Sequence, residues 1–334
     1  MPFKNIKFFS QGFGDLSLVS ELEHLIQSYA KENKSGPEIR PFWSHRKTQK
    51  TKTSLIDDVW FNSPLTDFLP EESHTGRFQL VRPLKGRPLR GIVLHAASTG
   101  DSTFRIRRQL LAGPLLEKGI GSLILMVPFY GERKPKGQSW HFCRSVSDFL
   151  CKLGTTLLEI SLLVHWVREH FPDLMVGITG ISMGGGITCC SGAVTDGDLA
   201  LSPCLAGHSP SPLIKGILNS QIDWERLEKE SMLDEEEVKL HLFEILEKYN
   251  IEKIMNFCPL EKIGKRTLVQ INAREDYVVE KNSGDKLYKM FSKSVMPGKS
   301  SLQYIEGGHF SSVMASQYFF IPAILKSFDL LEEF

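Results

Sequence analysis

An α/β architecture, with a mostly parallel central sheet flanked by helices, is what the residue pattern predicts, and three observations predict it. Short segments over 89–95, 122–127, 199–205, 266–271 and 301–305 read as strands, with apolar runs such as Ile92 to Leu94 and Leu123 to Val127 marking buried ones. Longer stretches between them, such as 146–171, carry apolar residues at helical spacing. A glycine-rich turn over 176–186 joins a β-type run to small residues that can open a helix, so strand, helix, strand and turn alternate as in stacked βαβ units. At 334 residues and 41% hydrophobic content the chain can bury a large core. The division expected is an N-terminal extension over 1–79 and one α/β domain over 80–334, with a helical insertion at about 206–260.

Within the extension, Leu18, Leu22, Leu25, Ile26 and Tyr29 recur at helical spacing, with Asp15 or Ser17 as a cap. The polar face of this amphipathic helix is mixed in charge, which favours packing on the domain over lying on a membrane. The segment 31–52 is polar and basic, with Arg40, Arg46, Lys47, Lys50 and Lys52 around Phe42 and Trp43. It reads as a solvated loop, with contact to anionic lipid head groups as the other reading.

The strand over 89–95 stops at the small-residue loop Ala96-Ala97-Ser98-Thr99-Gly100-Asp101. A helix from about Thr103 is expected to break near Gly113-Pro114. The next strand, 122–127, runs into an aromatic and basic loop from Pro128 to Pro135. Phe149, Leu153, Leu157, Ile160, Leu163 and Val167 then form one helical stripe. Charged helices fill 212–257, where Asp234 to Glu237 place acids in a first turn and Val238, Leu242, Ile245, Leu246 and Tyr249 form the apolar face. This block has the form of a lid, and ordinary packing explains it equally. A terminal helix through Ile324, Leu325, Phe328 and Leu331 is expected to bend at Pro322.

The charge balance argues against nucleic acid as a partner, because 40 Lys and Arg against 39 Asp and Glu leave no global field. Six cysteines without CxxC or zinc-type spacing suggest neither a disulfide framework nor a metal site, and a reducing compartment follows. The N-terminus lacks the basic and apolar regions of a secretory signal, and Asp15, Glu21 and Glu23 do not suit a mitochondrial presequence. The longest apolar runs, such as 120–130, fall short of the roughly 20 residues a bilayer span needs. An intracellular, cytoplasmic protein, soluble or peripheral to a membrane, is the expectation. No oligomeric state is assigned.

The chemistry concentrates in three residues. Gly180-Ile181-Ser182-Met183-Gly184 matches G-x-S-x-G in a strand-to-helix context, where a sharp turn exposes the serine oxygen. Asp276 and His309 follow in the order nucleophile, acid, histidine, each just past the carboxyl end of a predicted strand. In open α/β sheets those ends converge on one crevice. His309 would take the proton of Ser182 as it attacks a carbonyl carbon, and Asp276 would orient the imidazole. The oxyanion so formed needs backbone N–H donors, expected from Met183 and from Thr99 in the loop after the early strand. Ser98, Tyr130 and Arg133 are the expected substrate-binding residues. Glu275 is the rival acid, but in an extended segment its side chain points the other way. His95 is expected to be buried or supporting, His208 lies at the entry to the insertion, and Cys189 and Cys190 suit small apolar roles. No cofactor and no metal enter this scheme.

From about Leu80 onward these features resemble the α/β-hydrolase superfamily. Ser98-Thr99-Gly100-Asp101 with Arg107-Arg108, Pro128-Phe129-Tyr130-Gly131 with Arg133-Lys134-Pro135, and Thr179 to Gly185 together resemble the group of α/β-hydrolase domain-containing protein 18 and its eukaryotic relatives. Gln11 to Gly14 and Ile222 to Leu227 agree with that group, which carries glycine where this chain has Ser98. The resemblance implies a serine hydrolase acting on an acyl lipid, with a membrane phospholipid as the substrate class and a mitochondrial association. An acyltransferase or thioesterase using the same three residues, and a non-catalytic scaffold, are the rival readings.

Overall fold

The computed structural model describes residues 6–32, 42–84, 88–214, 216, 218–257 and 264–334. Nine strands form one sheet in the order β1-β2-β3-β5-β4-β6-β7-β8-β9. They are β1 (Phe42–Lys50), β2 (Ser54–Asn62), β3 (Thr75–Pro83), β4 (Gly91–Ala96), β5 (Ile120–Met126), β6 (Met175–Ile181), β7 (Leu199–Cys204), β8 (Arg266–Ala273) and β9 (Ser300–Ile305). The first three pair antiparallel, β3 pairs antiparallel with β5, and the remainder of the sheet is parallel. Every residue of β4, β5, β7 and β8 is buried, the polar ones Arg266, Thr267, Gln270 and Asn272 of β8 included.

Helices cover both faces. They are α1 (Leu16–Glu32), α2 (Arg105–Arg107), α3 (Gly113–Glu117), α4 (Val146–His170), α5 (Met183–Val194), α6 (Trp224–Ser231), α7 (Glu235–Leu246), α8 (Ile251–Met255), α9 (Lys281–Phe291), α10 (His309–Met314) and α11 (Ser316–Glu332). One core layer joins α1, α4 and α5 to the sheet through residues such as Leu22, Leu157, Ile178 and Leu201. The opposite layer joins α3 and α11 through Leu115, Ile120, Phe320 and Phe328. Ser145 caps α4 by accepting the Asp148 N–H at 3.0 Å. By length and composition α4 is apolar enough to cross a membrane, contrary to the expectation from its runs, but 89% of that window is buried in this core. The insertion between β7 and β8 holds α6, α7 and α8, with Asp234 and Glu237 closing a capping box at the start of α7.

Four expectations change. The basic segment expected as a loop holds β1, an edge strand whose Arg46 pairs with Asp57 of β2 at 2.8 Å, while Thr48 donates to the same carboxylate at 2.6 Å. Arg40 lies outside the described residues. Because β1, β2 and β3 belong to the common sheet, the boundary expected at 79/80 falls inside β3. The helix expected to break near Gly113-Pro114 instead runs on from α2 through a π-helical turn (Arg108–Ala112) into α3. Pro114 stands in the first turn of α3, where its missing N–H is least costly. Near the C-terminus the break falls at Ala315, between α10 and α11, and Pro322 lies within α11.

Candidate active site

β4 and β6 are neighbours with Ala96 opposite Gly180, so the loop after β4 and the turn after β6 leave the sheet side by side. Ser182 occupies that turn at φ 58° and ψ −119°, a conformation L residues rarely adopt. The turn is possible because of its glycines. A Cβ on Gly180 would come within 2.4 Å of the Gly184 backbone, and one on Gly184 within 2.5 Å of the Ala96 carbonyl. The N–H groups of Gly185 and Gly186 close back on the Ser182 carbonyl at 2.9 and 3.1 Å, opening α5 directly behind the serine. Met183 N–H is then one of the donors a helix N-terminus leaves without an internal partner.

On the same sheet edge, His309 begins α10 after β9, and Asp276 follows β8. His309 Nδ1 lies 2.8 Å from Asp276 Oδ2, and both side chains are nearly buried. A carboxylate only accepts, so the ring carries its proton on Nδ1 and leaves the Nε2 lone pair free. The other oxygen, Oδ1, accepts the N–H groups of Val278 and Val279 at 2.8 Å each, which fixes the carboxylate plane. Glu275 is exposed, in the turn that follows β8, so the extended segment expected here is not found. No hydrogen bond joins Ser182 to His309 among the described residues, a contact that commonly tightens only with substrate in place.

Ser182, Met183 and Thr99 border a narrow, mainly apolar pocket. Phe149, Leu153 and Leu157 of α4 form one wall, and Ile187 and Cys190 of α5 form another. His208, Leu218, Tyr249 and Ile251 of the insertion cover it, joined by Phe8 from the N-terminal segment. The insertion is therefore both packed and pocket-forming. Burial pushes the Cys190 thiol up to about 12, in keeping with a small apolar role rather than a nucleophile. His208 is held in the wall by Ser283, whose Oγ lies 2.8 Å from Nδ1. His95 is buried against Ser122, and burial, with the Arg107 charge beside it, holds its pKa down to about 3.

The three residues expected to bind substrate are placed otherwise. Ser98 lines a separate small cavity with His95, Asp101 and Arg107, beneath the Ser182 turn. Tyr130 is fully buried, and its hydroxyl accepts the Gly100 N–H at 3.4 Å, so it supports the loop instead of touching the pocket. Arg133 is 1% exposed and makes a two-pronged pair with Glu159 of α4 at 2.6 and 2.7 Å, while also donating to the Ser73 and Met126 carbonyls. Both Nη groups are thus engaged, and the remaining donor, Nε, is buried without a partner among the described residues and away from those that line the pocket. Replacing it tests this: Arg133→Met strands Glu159 in the core and is expected to cost about 3–5 kcal/mol in denaturant unfolding. The folded variant should keep its reaction with serine-directed probes, and a loss of that reaction at unchanged stability would restore Arg133 to the site.

Two supports of the loop escaped the sequence reading. Arg107 is buried and ties the loop to the sheet: Nε donates to Asp101 at 2.7 Å, and Nη1 to the His95 and Leu125 carbonyls at 3.0 and 2.7 Å. The other is Lys152, a fully buried cation on α4. Its one signal was a lysine set in the apolar run Phe149-Leu150-Cys151-Lys152-Leu153.

A strained serine between a parallel strand and a helix, with an acid and a histidine at the ends of later strands, defines an α/β hydrolase. The sequence profile of the family Alpha/beta hydrolase domain containing 18 matches residues 6–256, and the chain belongs to that family. Among solved structures it is similar to acetyl xylan esterase 1 from Thermoanaerobacterium sp. JW/SL YS485, at 14% identity and a TM-score of 0.57, covering 99% of each chain. It is similar also to an acetyl xylan esterase from Paenibacillus sp. R4, at 14% identity and TM-score 0.57, covering 97% of this chain and 99% of that one. The S-formylglutathione hydrolase FrmB from Staphylococcus aureus matches at 13% identity and TM-score 0.50, over 85% of this chain and 100% of its own. At these identities the likeness is one of fold.

Proposed function

We propose that this chain is a serine hydrolase that cleaves the carboxylic ester of an acyl lipid, a phospholipid being the class in view. The observation that carries the reading is the 2.8 Å contact between His309 and Asp276 on the sheet edge that also holds the strained Ser182. In this scheme His309 Nε2 takes the Ser182 proton as Oγ adds to the ester carbonyl. The tetrahedral oxygen is received by the N–H groups of Met183 and Thr99. Collapse breaks the bond to the alkoxy oxygen, which takes the proton from His309 and leaves as the alcohol. Water, deprotonated by the same imidazole, then releases the acid from Ser182. Asp276 steadies the imidazolium throughout.

The lipid part of the proposal rests on the pocket, whose apolar walls run back along α5 from the serine. At about 1.5 Å of rise per residue, Cys190 stands roughly 12 Å down the helix from Ser182, deep enough to line an acyl chain. Exposed apolar side chains beside His309, with Phe310 at 70% and Met314 at 77%, suit a peripheral contact with the lipid surface that presents the ester. Nitrophenyl esters of increasing chain length test the reading. Wild type should turn over medium and long chains faster than acetate, and Cys190→Phe should lower the long-chain kcat/KM by about tenfold while sparing acetate, about what two misfitted methylenes cost. No turnover at any chain length would overturn the hydrolase; a preference for acetate that Cys190→Phe leaves untouched would overturn the acyl pocket.

A further inference from the structure

The loop carrying Thr99 and Gly100 is held from behind by a charge that the chemistry above does not use. We propose that Lys152 is a positioning residue for the oxyanion site, acting through the Tyr130 hydroxyl to fix the loop and setting a positive charge behind it. The proposal rests on the reading of Ser182 as nucleophile and goes beyond it.

Lys152 is fully buried in the middle of α4, and no carboxylate pairs with it among the described residues. Its Nζ lies 3.5 Å from the Tyr130 hydroxyl, 5.0 Å from the centre of that ring and 4.5 Å from the centre of the Phe149 ring. Burial opposes its charge, while hydrogen bonds to the Tyr130 hydroxyl and the Cys143 thiol favour it. A cation in such surroundings is costly to keep, and a methionine of similar length would fill the space without that cost. Charges retained against that cost concentrate at functional sites.

The geometry says what this one serves. An ammonium has donors only, so the Tyr130 oxygen accepts from Lys152 and also from the Gly100 N–H. The N–H of Gly100, a residue at φ 84°, is thereby directed to Tyr130, while Thr99 borders the pocket that Ser182 lines. Arg107 holds the next residue, Asp101, from the other side. Phe149 and Leu153, which flank Lys152 on α4, line the pocket themselves. The ammonium thus sits one side-chain layer behind the position where negative charge develops, in a setting that screens it little.

The test uses the full chain, nitrophenyl octanoate and a fluorophosphonate probe. Lys152→Met and Tyr130→Phe are each expected to lower kcat by roughly ten- to a hundredfold with KM nearly unchanged, because the effect appears only as the oxyanion forms. The double variant should lose no more than the worse single, since both changes break one relay. Thermal melts identify the folded variants. Should Lys152→Met fail to fold, Tyr130→Phe, which removes a single oxygen, decides alone. A folded Tyr130→Phe within about twofold of the wild-type kcat would overturn the proposal, as would losses in the double variant that simply multiply. If the wild type neither hydrolyses the ester nor reacts with the probe, the hydrolase reading fails and this inference with it; an active wild type with active variants defeats this inference alone.

Discussion

Ser182→Ala is expected to abolish ester turnover, with a fall in kcat on the order of 10⁶-fold, and to remove all labelling by a fluorophosphonate. The thiols nearby are poor rivals: the Cys190 thiol is held up to about 12 by burial, and Cys189 is buried outright. The same position allows a second, independent reading. Ser182 is held at φ 58° and ψ −119°, and strain of this kind costs about 1–3 kcal/mol, which an alanine would inherit and a glycine would relieve. Ser182→Gly should therefore be as inactive as the alanine variant yet more stable than wild type by about 1–2 kcal/mol, after allowing for the extra chain entropy of glycine. Denaturant unfolding of the three proteins checks this. Loss of activity with equal stabilities would count against a strained elbow, and labelling that survives in Ser182→Ala would remove the serine from the chemistry.

How far such a site is legible in the residues depends on whether its signal is local. The elbow is local: three glycine and serine positions within five residues, each needed because any Cβ at Gly180 or Gly184 meets backbone. The central strands are local too, since burial on both faces leaves β4 and β5 with apolar runs such as Ile92 to Leu94 and Leu123 to Met126. The preference for Asp276 over Glu275 rests on the premise of an extended segment; Glu275 in fact lies in a turn, and it is the contact with His309 that singles out Asp276.

What was misread depends on partners distant in the chain. β1 is polar because it is an edge strand, and only its pairing with β2, whose Asp57 takes up Arg46, Thr48 and Arg82, turns a basic run into a strand. Arg133 and Tyr130 carry the chemistry of ligand contacts, and the residues that absorb it, Glu159 and Lys152, lie on α4 among its apolar positions. A polar residue on an apolar helix face is ambiguous until its partner is known, because burial with a partner and error in the helical phase look alike in one dimension. Phe8, for which the residues carried no local signal, lines the pocket where its backbone bridges to Ile222 in the insertion.

The second large effect is expected at Asp276. In Asp276→Asn the side chain keeps its shape, and its oxygen can still accept from the Val278 and Val279 N–H groups that fix the native carboxylate. Its amide nitrogen then faces His309 Nδ1, where the native carboxylate oxygen stood at 2.8 Å. An amide nitrogen donates and cannot accept, so the imidazole must move its proton to Nε2 and present the lone pair at Nδ1. The atom that has to take the Ser182 proton is then already protonated. A fall in kcat of about 10⁴-fold follows, with KM close to wild type because the pocket walls are untouched. Glu275→Gln supplies the contrast: its side chain is exposed, and its loss should change kcat by less than about twofold. Steady-state kinetics on nitrophenyl octanoate separate the two residues. Equal losses at 275 and 276 would mean that the variants perturb the loop as a whole, and a near-normal Asp276→Asn would mean that His309 does not act as the base through Nε2.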